Sequence, residues 1–257
     1  MTTISKKQKE VLTKAKKQKT YTYEEVLESA VAYFNGDELA GTTWMNKYAM
    51  KDYEGNFVEK NPDDMHKRMA KEFGRIEADY KLKYNLNGSA KFLSKYGQER
   101  EDLTEAKVYS LFKEFGYIIP QGSVMSSLGN HYKLASLSNC IVVPELHDSY
   151  GGVFYTDQQL AQLFKRRCGV GVDISNLRPA GSSVSNAAGS TSGAVSFMNR
   201  FSHTTREVAQ NGRRGALMLS MDIAHPDVED FITIKQDLQK VTGANISIRL
   251  SDEFMKA

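Results

Sequence analysis

Four short apolar runs, at residues 134–144, 170–174, 216–221 and 244–250, alternate with stretches long enough to hold a helix. This alternation limits the fold more than any other feature. Parallel strands cannot be joined by a tight turn, so each pair needs a crossover, commonly a helix. The first run, LASLSNCIVVP, carries Leu137, then Ser138-Asn139-Cys140, then Ile141-Val142-Val143, and Pro144 closes it. An unbroken apolar run of that kind suits a strand covered on both faces. The segments between the runs read as helices. Thr156 and Gln159 have capping-box spacing ahead of Leu160, Leu163 and Phe164. A long Ser/Gly/Ala loop, 181–193, leads to a helix with Val195, Met198, Phe201 and Val208. His225-Pro226-Asp227 opens another, with Val228, Phe231 and Ile232, and Ser251 reads as the N-cap of one more. The expectation is an α/β unit built on a parallel sheet with crossover helices.

The first part of the chain has a different period. Thr22 and Glu25 form a capping-box pair, followed by Val26, Leu27, Ala30, Val31 and Phe34 at helical spacing and then Asn35-Gly36. Trp44 is expected to pack on that face, and residues 53–57 to turn. Pro62 suits a first helical position ahead of the stripe Met65, Met69, Phe73, Ile76 and Tyr80. Residues 81–102 read as a polar connection, and a third helix follows Thr104 through Val108, Leu111, Phe112 and Phe115. The domains expected are a basic disordered tail at 1–20, a helical domain at 21–117, and the first, incomplete part of an α/β unit at 118–257. The chain is expected to continue past Ala257, which falls inside the first turn of a helix.

Composition excludes several classes. No apolar run approaches the roughly 20 residues that span a bilayer. The lysine-rich start has no apolar segment behind it, so it is not a secretory signal. It reads as a solvated end and not as a nucleic-acid arm. Two cysteines in 257 residues point to a reducing, cytoplasmic setting. The five histidines show no paired ligand spacing, so a metal hydrolase fits poorly and no metal is expected.

Ser138, Asn139 and Cys140 place a hydroxyl, an amide and a thiol at one strand end. The plain alternative is an inert buried thiol. Glycine-rich loops occur at 121–123, 166–171 and 210–215, and the last two include twin arginines, suited to an anion through forked donors and backbone amides. None has the spacing of a general nucleotide fingerprint. Each alone also fits a turn with surface arginines.

Taken in order, LSNC, KRRCGVGVDISNLRPAGS and TREVAQNGRRGALMLSMDIAHPDVEDFITIK resemble the large catalytic chain of ribonucleotide reductases. REVAQNGRRGALMLS is most similar to the adenosylcobalamin-dependent class. The resemblance implies a helical N-terminal domain followed by the first half of a ten-stranded α/β barrel. It implies reduction of ribonucleotides to deoxyribonucleotides by radical chemistry, with Cys140 as one half of a redox pair whose partner lies beyond residue 257. A thiol pair can supply the reducing electrons and end as a stable disulfide. For that task the Cys140 thiol is expected at a strand end, shielded from water.

By the same resemblance Ser123, Ser138, Asn139, Cys140 and Gly169 line the substrate. Asp148, Arg178, Gln210 and Arg214 serve an allosteric effector, with 181–193 and 210–215 as its two loops. The partners implied are a ribonucleoside di- or triphosphate, dNTP or ATP effectors, a thioredoxin-type reductant, the C-terminal half of the enzyme and a second copy in a homodimer. Adenosylcobalamin is the implied cofactor, held mostly by the other half. Two departures stand out. Cys168 replaces a small residue without a thiol, and is read as buried and not redox-active. The radical-cysteine pattern Asn-x-Cys-x-Glu is absent, so the chain alone is expected to be inactive. The rival reading is a nucleotide-binding regulatory module with no chemistry of its own.

Overall fold

The computed structural model describes residues 19–86, 94–208 and 215–257. They form two compact units divided after Leu134, each with its own hydrophobic core.

The first unit is helical. Helix α1 (Tyr23–Tyr33) starts as its capping box dictates: Thr22 Oγ1 accepts the Glu25 amide at 3.2 Å, and the Glu25 carboxylate accepts the Thr22 amide at 2.8 Å. Asn35 and Gly36 then take φ of 56° and 91°, which ends the helix. Helix α2 (Glu38–Lys47) buries Trp44 and Met45 against Val26 and Ala30. Helix α3 (Pro62–Leu86) opens on its proline and buries Met65 and Met69 completely. It runs on into the stretch expected to be a connection, past the core, so Tyr80 is 55% exposed and does not join the stripe. The short α4 (Lys95–Glu99) follows, and α5 (Glu105–Phe112), capped by Thr104, buries Val108 and Phe112. Gly122 and Ser123, read as part of a glycine-rich loop, instead open helix α6 (Gly122–Ser127). Met125 and Leu128 enter the helical core, so this unit extends beyond the change of pattern at Ile118.

The second unit runs β1 (Cys140–Val142), α7 (Tyr150–Phe164), β2 (Gly169–Asp173), α8 (Ala194–Glu207), β3 (Leu217–Asp222), α9 (Val228–Thr233), β4 (Ala244–Arg249), α10 (Asp252–Lys256). The strands form one parallel sheet in the order β1-β2-β3-β4. One face carries Val170, Val172, Leu217, Leu219 and Met221, packed with Leu160 and Phe164 of α7 and Met198 and Phe201 of α8. This is the α/β fold that the alternating runs require.

Two local expectations are corrected. The first strand is only three residues long and lies at the edge of the sheet, so it is not covered on both faces. Val143 turns inward at 7% exposure while its neighbour Val142, on the opposite face, stands 79% exposed. Helix α7 begins at Tyr150 behind Ser149, and Thr156 lies inside it, buried. The Gly151-Gly152 pair looks unfit for a helix start, but a Cβ at Gly152 would meet the His147 carbonyl oxygen at 2.2 Å. The helix therefore doubles back against His147 where only glycine fits. In α9, Phe231 is buried and Ile232 is 48% exposed.

Candidate functional site

Parallel strands put their first residues on one edge of the sheet and their last on the other. The proposed site residues divide between these edges. At the leading edge Cys140 pairs in register with Gly169, and the Gly169 amide donates to the Asn139 carbonyl at 2.7 Å. Ser138 Oγ donates to the Cys140 carbonyl at 3.0 Å. A Cβ on Gly169 would lie 3.3 Å from the Asn139 oxygen and 3.4 Å from Cys140 Sγ. The fold thus brings Ser138, Asn139, Cys140 and Gly169 together. Cys140, on the outermost strand of the described sheet, is exposed where shielding was expected. Ser123 belongs to the first unit, where α6 buries it. Cys168 is buried, and its thiol donates to the Gly169 carbonyl at 3.2 Å. Burial pushes that thiol up, partly offset by a hydrogen bond with Ser136, so it stays protonated.

Beyond the trailing edge, Asp148 and Arg178 meet. Arg178 Nε donates to Asp148 Oδ2 at 2.6 Å, and Nη1 donates to the Ser183 carbonyl at 3.3 Å. They sit in the wall of an open cavity of about 250 Å³, lined also by Tyr150, Val153, Leu177, Phe197 and the loop residues Val184, Ser185, Asn186, Ser190 and Thr191. The lining combines apolar side chains with a carboxylate, a guanidinium and several hydroxyls, a set suited to a partly polar small ligand. Gln210 and Arg214 lie outside the described residues, as does nearly all of the basic stretch at 1–20. Of the other twin-arginine loop, Arg166 donates to the Gln162 carbonyl at 2.8 Å and its amide oxygen at 3.2 Å, closing the end of its own helix.

One polar cluster escaped the sequence reading. At the trailing ends of β2, β3 and β4, Asp173 accepts from Ser175, Ser220 and Arg249, and Arg249 also reaches Asp222 at 3.2 Å. Burial works against the Asp173 charge, but these hydrogen bonds hold its carboxyl below the usual range. Only the strand register brings these residues to one edge. Among the described residues no helix is long and apolar enough to cross a membrane.

The barrel domain of ribonucleotide reductases matches residues 138–257. The chain is 32% identical over 246 residues to a vitamin B12-dependent ribonucleoside-diphosphate reductase of Thermoplasma acidophilum, an alignment covering 81% of this chain and 32% of that protein. It is 37% identical over 126 residues to the enzyme of the same description from Mycobacterium tuberculosis, covering 48% and 18%. A Saccharomyces cerevisiae ribonucleoside-diphosphate reductase large chain is 32% identical over 120 residues, covering 46% and 13%. The chain thus spans about a third or less of the length of these curated relatives. With their parallel sheet and these alignments, residues 138–257 belong, as a partial segment, to the barrel domain of the ribonucleotide reductase family.

Proposed function

We propose that this chain is the part of a vitamin B12-dependent ribonucleotide reductase that carries one reducing thiol and the effector pocket. The observation that supports it most is Cys140 at the leading end of β1, paired in register with Gly169, which leaves room beside the sulfur. In the reaction the ribose C2′–O bond breaks and a C2′–H bond forms. Two thiols give up two hydrogens in all, one to carbon and one to the departing water, and become a disulfide. Cys140 is one of these thiols, and its partner belongs to another part of the enzyme. Ser138 fixes the Cys140 backbone, and Asn139 and Gly169 form the adjoining surface for the sugar. The substrate is proposed to be a ribonucleoside di- or triphosphate.

The Asp148–Arg178 pocket takes a dNTP or ATP effector. Asp148 accepts from the sugar hydroxyl, and Arg178, now held by Asp148, turns to the phosphates. Gln210 and Arg214 are proposed to relay the identity of the effector base. A thioredoxin-type reductant, a complementing C-terminal half and a second copy of the chain complete the assembly. Cobalamin supplies the initiating radical in this class. A corrin needs a broad enclosing wall, and the described residues around Cys140 offer an exposed strand edge with Val142 open to solvent. They do not form that site by themselves, and no step here passes through it.

The test is Cys140→Ser in the enzyme completed with its remaining segment. Loss of multiple-turnover deoxynucleotide formation with effector binding intact is the expected result. Unchanged turnover would remove Cys140 from the chemistry and favour the regulatory-module reading. The 257-residue chain alone is expected to form no deoxynucleotide.

A further inference from the structure

The effector pocket owes its shape to a residue outside it. Helix α8 starts after Gly193, which sits at φ +83° and offers no side-chain cap. Its first amide, Ala194 N, instead donates 3.1 Å to Asp227 Oδ2, from the turn after β3. The same carboxylate accepts the Ala180 amide at 3.0 and 3.1 Å. One buried carboxylate therefore joins both ends of the loop that runs from Arg178 to Gly193. The Asp227 amide donates to His225 Nδ1 at 3.0 Å, so His225 Nε2 carries the hydrogen and donates to the Leu177 carbonyl at 2.8 Å. Leu177, Arg178 and the loop residues Val184, Ser185, Asn186, Ser190 and Thr191 line the pocket, and Arg178 reaches the loop at Ser183. The loop's neck is closed by Gly181 N to Thr191 O and Thr191 N to Ser182 O, each 3.0 Å.

We propose that Asp227 is a positioning residue for the Asp148–Arg178 pocket, latching both ends of the 178–194 loop and so fixing the wall that a nucleotide meets. The proposal rests on the effector reading above. A carboxylate suits the task because it only accepts, it is met by two amides, and one of these opens a helix whose N-terminus favours negative charge. Burying it without those donors would be costly. Asparagine would turn a donor toward the Ala180 amide. Gly193 is part of the latch, because a Cβ there would stand 2.6 Å from both the Ala180 nitrogen and Asp227 Oδ2.

The test uses the whole chain with Asp227→Asn and, independently, Gly193→Ala. Amide hydrogen exchange is followed at 180–192 and in β2 and β3, and dATP and dTTP binding is measured as the probe of the pocket. We expect faster exchange confined to 180–192 and affinity lower by about tenfold for both nucleotides alike, as a misplaced wall and not a lost base contact requires. Unchanged exchange at 180–192 in both variants overturns the latch. Faster exchange with wild-type nucleotide affinity overturns the positioning role. Exchange that spreads through β2 and β3 shows Asp227 to be a general structural residue, which also overturns it. If the wild-type chain binds neither nucleotide, the effector reading fails by itself, and exchange alone then decides the latch.

Discussion

Gly169 shows how one missing methyl group can define a site. A Cβ there would sit in direct contact with Cys140 Sγ, at 3.4 Å, and slightly tight against the Asn139 carbonyl, at 3.3 Å, covering one side of the sulfur. Gly169→Ala is therefore expected to slow reaction of the Cys140 thiol with a disulfide reagent several-fold, while the chain still folds; an unaltered rate would remove Gly169 from the site. Arg68 works differently. It pairs with Glu59 at 2.6 Å and donates to the carbonyls of Met125 and Leu128, and both side chains of the ion pair are buried. Arg68→Ala strands a buried carboxylate and should destabilise the first unit by about 3–5 kcal/mol in urea denaturation. His66 gives a pH dependence. It is fully buried among Tyr33, Phe112 and Phe115, and neither ring nitrogen has a hydrogen-bond partner among the described residues. Burial lowers its pKa below 6.5, with Asp63 opposing. The unfolded chain then binds the proton first, so stability is full above pH 6.5 and is lost as pH falls below it. First-unit stability measured from pH 7.5 to 5.5 should fall on acidification, and His66→Leu should flatten that slope.

At the level of elements, capping chemistry was readable where the partner lies within one turn. Thr22 was found from its capping-box spacing, and Thr104 was read as the start of its helix. Thr156 was not a cap, because the same spacing recurs by chance and the real start depends on Gly152 approaching His147. Ser149→Ala removes the hydroxyl that accepts the Gly152 amide at 3.0 Å and should cost the second unit about 1 kcal/mol. Gln159→Ala should be nearly neutral by the same thermal melt; a larger loss at Gln159 than at Ser149 would contradict this assignment. The cap of α8 is a third case. Its donor and acceptor are 33 positions apart, so no local pattern could have revealed Asp227.

Across the whole molecule, two cores share no residue. The single tryptophan, Trp44, lies in the first and reports on it alone. Leu219→Ala, in the second core, should cost that unit about 2–5 kcal/mol by circular dichroism while leaving the Trp44 fluorescence midpoint in place. A matching shift in both signals would mean that the units unfold as one. The sequence by itself determined the order of helices and strands, the parallel sheet and the change of period between the two parts. Those follow from local hydrophobic spacing and from the length of each crossover. It also marked Cys140, Asp148 and Arg178 through their resemblance to a family. Only the tertiary structure decided that β1 is an exposed edge, that the thiol and the Asp148–Arg178 cavity lie at opposite ends of the strands, and that Asp227 holds the loop between them and α8. Edges, cavities and latches depend on which distant backbone groups meet, and strand register and packing set those meetings, not the period of any one segment.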